Sequence, residues 1–283
     1  MMFCWNCRCG ANILVRTIHT ALCVGVPVTL LVKDTILSRA VIQTQDLLYG
    51  IAYLLLMSLS IIFYYLACFI DPGYLPLKKK KASVNNNSED EGSDEDSSML
   101  KNGDKDVKYR MCDYCEIQQP MRAKHCEDCK RCVRKYDHHC PWLEACVGER
   151  NHKFFLLFLL ATAMLVLWTF YIAWNAIVFR LDWSEWFKAN FLFFIDIIIL
   201  IFGGFVVVGL LCFHSYLMVK GMTTWEAASR ERITYLKYLD DDYNPFDEGV
   251  CKNMYYFLCV CKVRKWESVY SKKADVNGNG GIV

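Results

Sequence analysis

The sequence predicts an all-α polytopic membrane protein: four transmembrane helices, with a cysteine-rich domain in the loop between the second and the third. Three observations predict it. Apolar residues make up 54% of the 283 residues but gather in long runs, whereas a soluble core repeats them singly at helical or strand spacing. Three of the runs exceed the ~20 apolar residues that a helix needs to cross a bilayer. Seven of the sixteen cysteines crowd between Cys112 and Cys146.

Residues 1–71 hold an N-terminal segment and the first two spans, about 17–32 and 47–70. The first run follows Arg16 and carries His19 and Pro27. No small-residue cleavage site follows Val32, and Lys33-Asp34 gives a polar stop, so it reads as a span instead of a signal-peptide core. Residues 72–106 form a linker whose part from Ser83 to Asp106 is acidic and nearly free of apolar side chains, a composition that stays disordered. Ser88 and Ser93 there precede acidic residues, the pattern of an acid-directed kinase site, against the plainer reading of a solvated spacer. The cysteine-rich domain spans 107–153. The third and fourth spans follow at about 154–178 and 191–219, and a tail occupies 220–283.

Basic residues orient the chain. Lys78 to Lys81 and the cations between Lys101 and Lys153 share one face with Arg8, Arg16 and Lys220, while the connections 33–46 and 179–190 are nearly charge-balanced. The positive-inside rule puts both termini and the cysteine-rich loop in the cytosol, with Trp183 and Trp186 in the interfacial belt of the opposite face. That orientation leaves the Asn86-Asn87-Ser88 glycosylation pattern unused. The net charge of +2 averages a basic face with an acidic tract. In a reducing cytosol, clustered thiols are metal ligands or nucleophiles, not disulfides.

Structural zinc sites are four-coordinate, held by thiolates and imidazoles, with C-x2-C pairs as loop clamps. Cys112/Cys115 and Cys126/Cys129 are two such pairs, and Cys132 repeats the spacing. With Cys146, His125 and His139 they make eight ligands, enough for two closed sites. Cys140 and His138 are then left over. In an extended segment a zinc-bound His139 points away from the face that His138 and Cys140 share, and Asp137 needs a bend to reach His138. A thiol, a base and a carboxylate are the parts of a base-activated nucleophile. The competing reading is that all of these residues serve only a metal-braced fold.

The full run, Cys112-x2-Cys115-x9-His125-Cys126-x2-Cys129-x2-Cys132-x4-Asp137-His138-His139-Cys140-x5-Cys146-x4-Asn151-x3-Phe155, closely resembles the DHHC family of protein S-acyltransferases (palmitoyltransferases). Asp71-Pro72-Gly73, Thr223-Thr224-Trp225-Glu226 and Asn244-Pro245-Phe246-Asp247 through Asn253 resemble further motifs of that family. The resemblance implies a palmitoyltransferase in which Cys140 takes a long-chain acyl group from acyl-CoA and passes it to cysteines of substrate proteins, with His138 as general base and Asp137 orienting it. It implies one zinc on Cys112, Cys115, His125 and Cys132, and another on Cys126, Cys129, His139 and Cys146. It also implies that Thr224 supports Asp137, that Asn253 fixes the tail, and that the protein resides in Golgi or endoplasmic reticulum membranes. Where many members have Val-Asn-Asn before the last cysteine, this chain has Leu143-Glu144-Ala145, which adds a negative charge beside the thiol.

Arg122, Lys124, Lys130, Arg131, Arg134 and Lys135 are candidates for the CoA phosphates, each against a solvated or lipid-facing alternative. The expected partners are acyl-CoA, membrane-associated proteins with cytosolic cysteines, and the bilayer, with no nucleic acid. The alternative function is a catalytically inert membrane zinc adaptor. A channel, with Asp196 as its intramembrane charge, ranks below both, because Asp196 is expected near the start of its span. Cys4, Cys7, Cys9, Cys251, Cys259 and Cys261 are candidates for lipidation of the protein itself, and Cys23, Cys68 and Cys212 for packing within spans.

Overall fold

The computed structural model describes residues 9–43, 46–77, 110–240, 243–260 and 263–276. The acidic linker, Cys4, Cys7, Cys261 and the terminal Asn-Gly-rich segment lie outside them. Four long apolar helices make the molecule's main body: α1 (Cys9–Val32), α3 (Leu47–Phe69), α4 (His152–Asn175) and α5 (Trp183–Lys220), with a short α2 (Ile36–Val41) between the first two. All four are long and apolar enough to cross a bilayer. The protein is a multi-pass membrane protein. Its tail carries α6 (Thr224–Ala228), a 3₁₀ turn at Arg230–Arg232, α7 (Val250–Leu258) and α8 (Trp266–Val276).

Helix α5 begins eight residues before the expected boundary at 191. Asp182 explains the early start: its side chain accepts from Glu185 N and caps the first turn. Trp183 and Trp186, expected in the connection, therefore form the first turn of α5 and stack on each other. The early start also moves Asp196 well inside the helix, where it is 3% exposed and accepts a hydrogen bond from Thr29 of α1. It is a buried helix-to-helix tie, not an interfacial charge. At its other end α5 stops at Gly221, whose φ of 66° is the left-handed conformation glycine tolerates.

The cysteine-rich domain is three small antiparallel hairpins: β1 (Arg110–Cys112) with β2 (Ile117–Gln119), β3 (Lys124–Cys126) with β4 (Arg131–Val133), and β5 (His138–Cys140) with β6 (Ala145–Val147). Cys112, Cys126 and Cys140 close the first strand of each, at a constant spacing of fourteen residues. Each turn then runs through a residue at positive φ: Glu116 at 53°, Lys130 at 54° and Glu144 at 50°.

The segment after α3 fastens this domain to the bundle. Asp71 accepts from the backbone N–H of Gly73 and Tyr74, closing a turn in which Gly73 takes a φ of 108°. Pro72, Gly73 and Leu75 then bond Arg150, Arg134 and Cys132 through the backbone. Gly148 permits the close approach, because a Cβ there would lie 2.6 Å from Pro72 O. The third hairpin rests on the bundle through its turn: Trp142 Nε1 donates to His19 Nδ1 at 3.2 Å, and its carbonyl accepts from Tyr64 OH at 3.0 Å.

Candidate functional site

Two clusters of four ligands lie in the hairpin domain. Cys112, Cys115, His125 and Cys132 form one, and Cys126, Cys129, His139 and Cys146 the other. In the first, the three sulfurs stand 3.6, 3.3 and 3.8 Å from His125 Nδ1. In the second, they stand 3.7, 3.4 and 3.7 Å from His139 Nδ1. One ring nitrogen has a single lone pair or a single proton and cannot satisfy three thiols. The edges instead match the ~3.6 Å expected between sulfur and nitrogen donors around a tetrahedral zinc. Both clusters therefore fit zinc.

The ligands interleave. The turn of the first hairpin supplies Cys112 and Cys115, and facing positions of the second supply His125 and Cys132. The turn of the second hairpin and the His139/Cys146 pair of the third repeat the arrangement. Each metal site thus staples one turn to the next hairpin. The third turn has no fourth hairpin to meet, because α4 begins at His152, and Leu143 stands where the earlier turns have their second cysteine. Cys140 occupies the position of a first turn cysteine and belongs to neither cluster.

Cys140 is 8% exposed and packs among Tyr64, Leu143, Phe155, Phe158 and Leu159 where α3 ends and α4 begins. His138, two residues back along β5, faces Asp137 and not the metal cluster. Its Nδ1 lies 2.7 Å from Asp137 Oδ2, and the Cys140 side chain is a second hydrogen-bond partner of the ring. Asp137 precedes the strand, after a bend in which Lys135 takes a φ of 40°. Burial pulls the His138 pKa down, but hydrogen bonds to Asp137 and Cys140 and their charges outweigh it and raise it to about 9. Burial pushes the Asp137 carboxyl up; His152, His138 and His214 outweigh that and hold it below the usual carboxylate range. The result is a strengthened base beside a thiol, oriented by a carboxylate.

Asp137 is held from the tail. Thr224 donates twice, from N to Oδ1 at 2.9 Å and from Oγ1 to Oδ2 at 2.7 Å. Thr223 and Glu226 form a capping box that fixes this turn. Asn253 donates to Val219 O and Asp247 Oδ1, each at 2.8 Å, and accepts from Glu248 N, tying α7 to the end of α5.

Two buried histidines that the motif spacing does not single out complete the surroundings. His152 Nδ1 lies 3.7 Å from Asp137 Oδ1 without a hydrogen-bond partner, and His152 Nε2 lies 3.3 Å from His214 Nδ1. The only sequence signal for His214 is a histidine interrupting an apolar span ten residues before Thr224.

The six candidate phosphate contacts separate. Arg122 is 4% exposed, forks onto Glu226 at 2.7 and 2.5 Å, and lies between Phe246 and Trp266. It has no surface left for a phosphate, which corrects the expectation for that residue. Arg134 is engaged by Glu149 and Arg264 O. Lys124 lies over Trp225 and Arg131 over Tyr74, and Lys130 projects from the second turn. Lys135 lines a separate cavity. Among the other cysteines, Cys251 is exposed on α7 and Cys259 just after its last residue, Cys212 is exposed on α5, and Cys68 is buried.

A family model described as DHHC palmitoyltransferase matches residues 105–231. The chain is 36% identical to the human protein named Palmitoyltransferase ZDHHC12 over 271 residues, 96% of this chain and 97% of that one. It is 37% identical to the mouse protein of that name over 274 residues, 97% of each. Protein S-acyltransferase 10 of Arabidopsis thaliana is 31% identical over 158 residues, 54% of this chain and 44% of that one.

Proposed function

The chain belongs to the DHHC palmitoyltransferase family and is a protein S-acyltransferase, and from that premise we propose that Cys140 is its nucleophile, His138 the general base and Asp137 the group that orients His138. The observation that carries the assignment is the alignment of Asp137, His138 and Cys140 beside, but outside, two complete zinc-fitting clusters.

In the first step His138 takes the Cys140 proton, and the thiolate attacks the thioester carbon of a long-chain acyl-CoA, palmitoyl-CoA on the family resemblance. The bond between that carbon and the CoA sulfur breaks, and His138 returns the proton to the departing thiolate. In the second step a substrate cysteine gives its proton to His138 and attacks the acyl carbon, the bond from that carbon to Cys140 Sγ breaks, and His138 returns the proton to Cys140. One thioester replaces another, so no further energy source enters.

Zinc bound by the two clusters would close each tetrahedron with protein ligands and brace the hairpins. The chain's own residues position the chemistry. Thr224 holds Asp137, and the apolar surroundings of Cys140 where α3 ends and α4 begins suit a fatty chain, which gains about 0.8 kcal/mol per CH₂ kept from water. Lys124, Lys130 and Arg131, none of which is held in a close ion pair among the described residues, are the cations assigned to the CoA phosphates. Both termini and the hairpin domain are assigned to the cytosol by charge asymmetry, and Golgi or endoplasmic reticulum residence by the family resemblance. The substrates are membrane-associated proteins with cytosolic cysteines.

An inert zinc adaptor is not favoured, since it gives Asp137, His138 and Cys140 no reason to converge. Intact-mass analysis with palmitoyl-CoA tests the assignment. The wild type is expected to gain one hydroxylamine-labile acyl group that Cys140→Ser lacks. A Cys140→Ser protein that still acquires that group and still acylates substrates overturns it.

A further inference from the structure

The start of α4, the bend at Lys135 and described residues of α7, of α8 and of the connection between them line a cavity of about 260 Å³. Four cations line it, Lys135, Arg150, Lys153 and Arg264, against one carboxylate, Glu149. That carboxylate is already engaged: Oε2 accepts from Arg134 Nε and Oε1 from Trp266 Nε1, each at 2.9 Å. Arg264 is paired with Glu248, and Arg150, among the described residues, with half-exposed Asp71 at 3.2 Å, a pair that contributes little in water. Lys135 has no ion pair or hydrogen bond among the described residues. Its ammonium lies 5.0 Å from the Trp266 ring centre and 5.6 Å from that of Phe257, and desolvation, with Arg122 adding to it, outweighs the attraction of Glu226, Glu149 and Asp137 and lowers its pKa to about 8. A desolvated cation with no close ion pair among the described residues, although those three carboxylates attract it from further off, gains from a bound anion.

The cavity's position restricts that anion. His152, Lys153 and Phe154 at the start of α4 line the cavity, and the N-terminal end of that membrane-spanning helix adds its positive dipole. Helix α7 turns Tyr256 and Phe257 toward the cavity while Val250, Met254, Tyr255 and Leu258 form an exposed apolar stripe on its outer side. Such a stripe on a short helix beside the spans belongs at the bilayer surface. Neither Cys140 nor His138 lines the cavity.

We propose that this cavity binds the phosphate of an anionic glycerophospholipid, Lys135, Arg150 and Lys153 meeting the headgroup while its acyl chains pass along Phe154 and α7 into the bilayer. The bound lipid bridges the hairpin domain, the start of α4 and the tail, three parts that must stay together for Thr224 to reach Asp137. The site is independent of the acyl-transfer assignment, because its ligand is a resident lipid and not a reactant.

CoA carries phosphates of the same chemistry, so the test must separate the two sources. The full chain, purified in a neutral detergent with its zinc retained, is titrated with phosphatidic acid, with phosphatidylcholine and with free CoA, and followed by native mass spectrometry and thermal unfolding. Phosphatidic acid is expected to form a one-to-one adduct and raise the unfolding midpoint, phosphatidylcholine to do neither, and CoA to leave the adduct intact. Arg150→Gln with Lys153→Gln should weaken adduct formation about tenfold, the loss expected from charge-assisted hydrogen bonds to one anion, while exposed Lys237→Gln binds as wild type. Zinc content equal to wild type shows that the double variant is folded. Should the double variant lose zinc, Arg150→Gln alone is read in its place, with a smaller weakening in the same direction expected. Equal binding of both lipids, displacement of the adduct by CoA, or a folded variant that binds as wild type would each overturn the proposal.

Discussion

Arg122 and Glu226 meet in a bidentate ion pair whose side chains are 1% and 2% exposed. The pair joins the hairpin domain to the turn that follows α5. Tyr235 OH adds a hydrogen bond to Glu226 Oε1, and Arg122 also donates to Gly221 O. Glu226→Ala leaves a guanidinium buried with no counter-charge. A loss of about 3–5 kcal/mol is expected, read as a lower thermal midpoint of the purified protein. Acyl-enzyme formation should fall with it, because the same turn presents Thr224.

Thr224→Val isolates the contribution of one hydroxyl. The substitution keeps the volume and the backbone N–H bond to Asp137 Oδ1 but removes the 2.7 Å bond from Oγ1 to Oδ2. A bond to a charged acceptor contributes about 1.5–3 kcal/mol, so rapid-quench acylation should slow by roughly tenfold or more. Zinc content should equal that of the wild type. An unchanged acylation rate would remove Thr224 from the positioning of Asp137.

Asp137→Asn acts on the base. His138 is raised from 6.5 to about 9, with hydrogen bonding and charge from Asp137 and Cys140 outweighing burial. A base raised on folding contributes stability that is fully present below about pH 6.5 and is lost as the pH rises toward about 9. The amide should flatten the thermal midpoint across that window and lower the acylation rate by about a hundredfold at neutral pH. A wild-type slope surviving in Asp137→Asn would show that another group titrates there.

The ligand count can be read directly as metal. Wild type and Cys140→Ser should each carry two zinc ions per chain, and Cys112→Ser or Cys126→Ser fewer, measured by elemental analysis of purified protein. Because each cluster staples one turn to the following hairpin, losing the second cluster should also disorder β5 and abolish acylation. Cys140→Ser with a reduced zinc content would make Cys140 a ligand.

The four spans and the eight ligands were legible because both follow from spacing: long apolar runs for helices, paired cysteines for turns. The grouping of ligands was not, since counting Cys112 to Cys146 gives a total and only the hairpin pairing of His125 with Cys132 and His139 with Cys146 gives the partition. Arg122 misled for a related reason. A basic residue among other basic residues suggests a phosphate site, and nothing local reveals that Glu226, a hundred residues on, consumes it. Asp196 and His214 depend in the same way on which helix lies opposite, a property of packing that the hydropathy of α5 alone does not contain.

Glu144 offers a test of strain against charge at the third turn. Its φ of 50° is a left-handed conformation, which costs a non-glycine residue about 1–2 kcal/mol, and asparagine less because it tolerates that region. Glu144 also brings a carboxylate near Cys140, but the residue is half-exposed and water screens its charge. Strain should therefore dominate. Glu144→Asn is expected to raise stability by about 0.5–1 kcal/mol, seen as a higher thermal midpoint, and to change the acylation rate less than about twofold. A large rise in acylation without a gain in stability would reverse that ranking and make Glu144 a determinant of thiol reactivity.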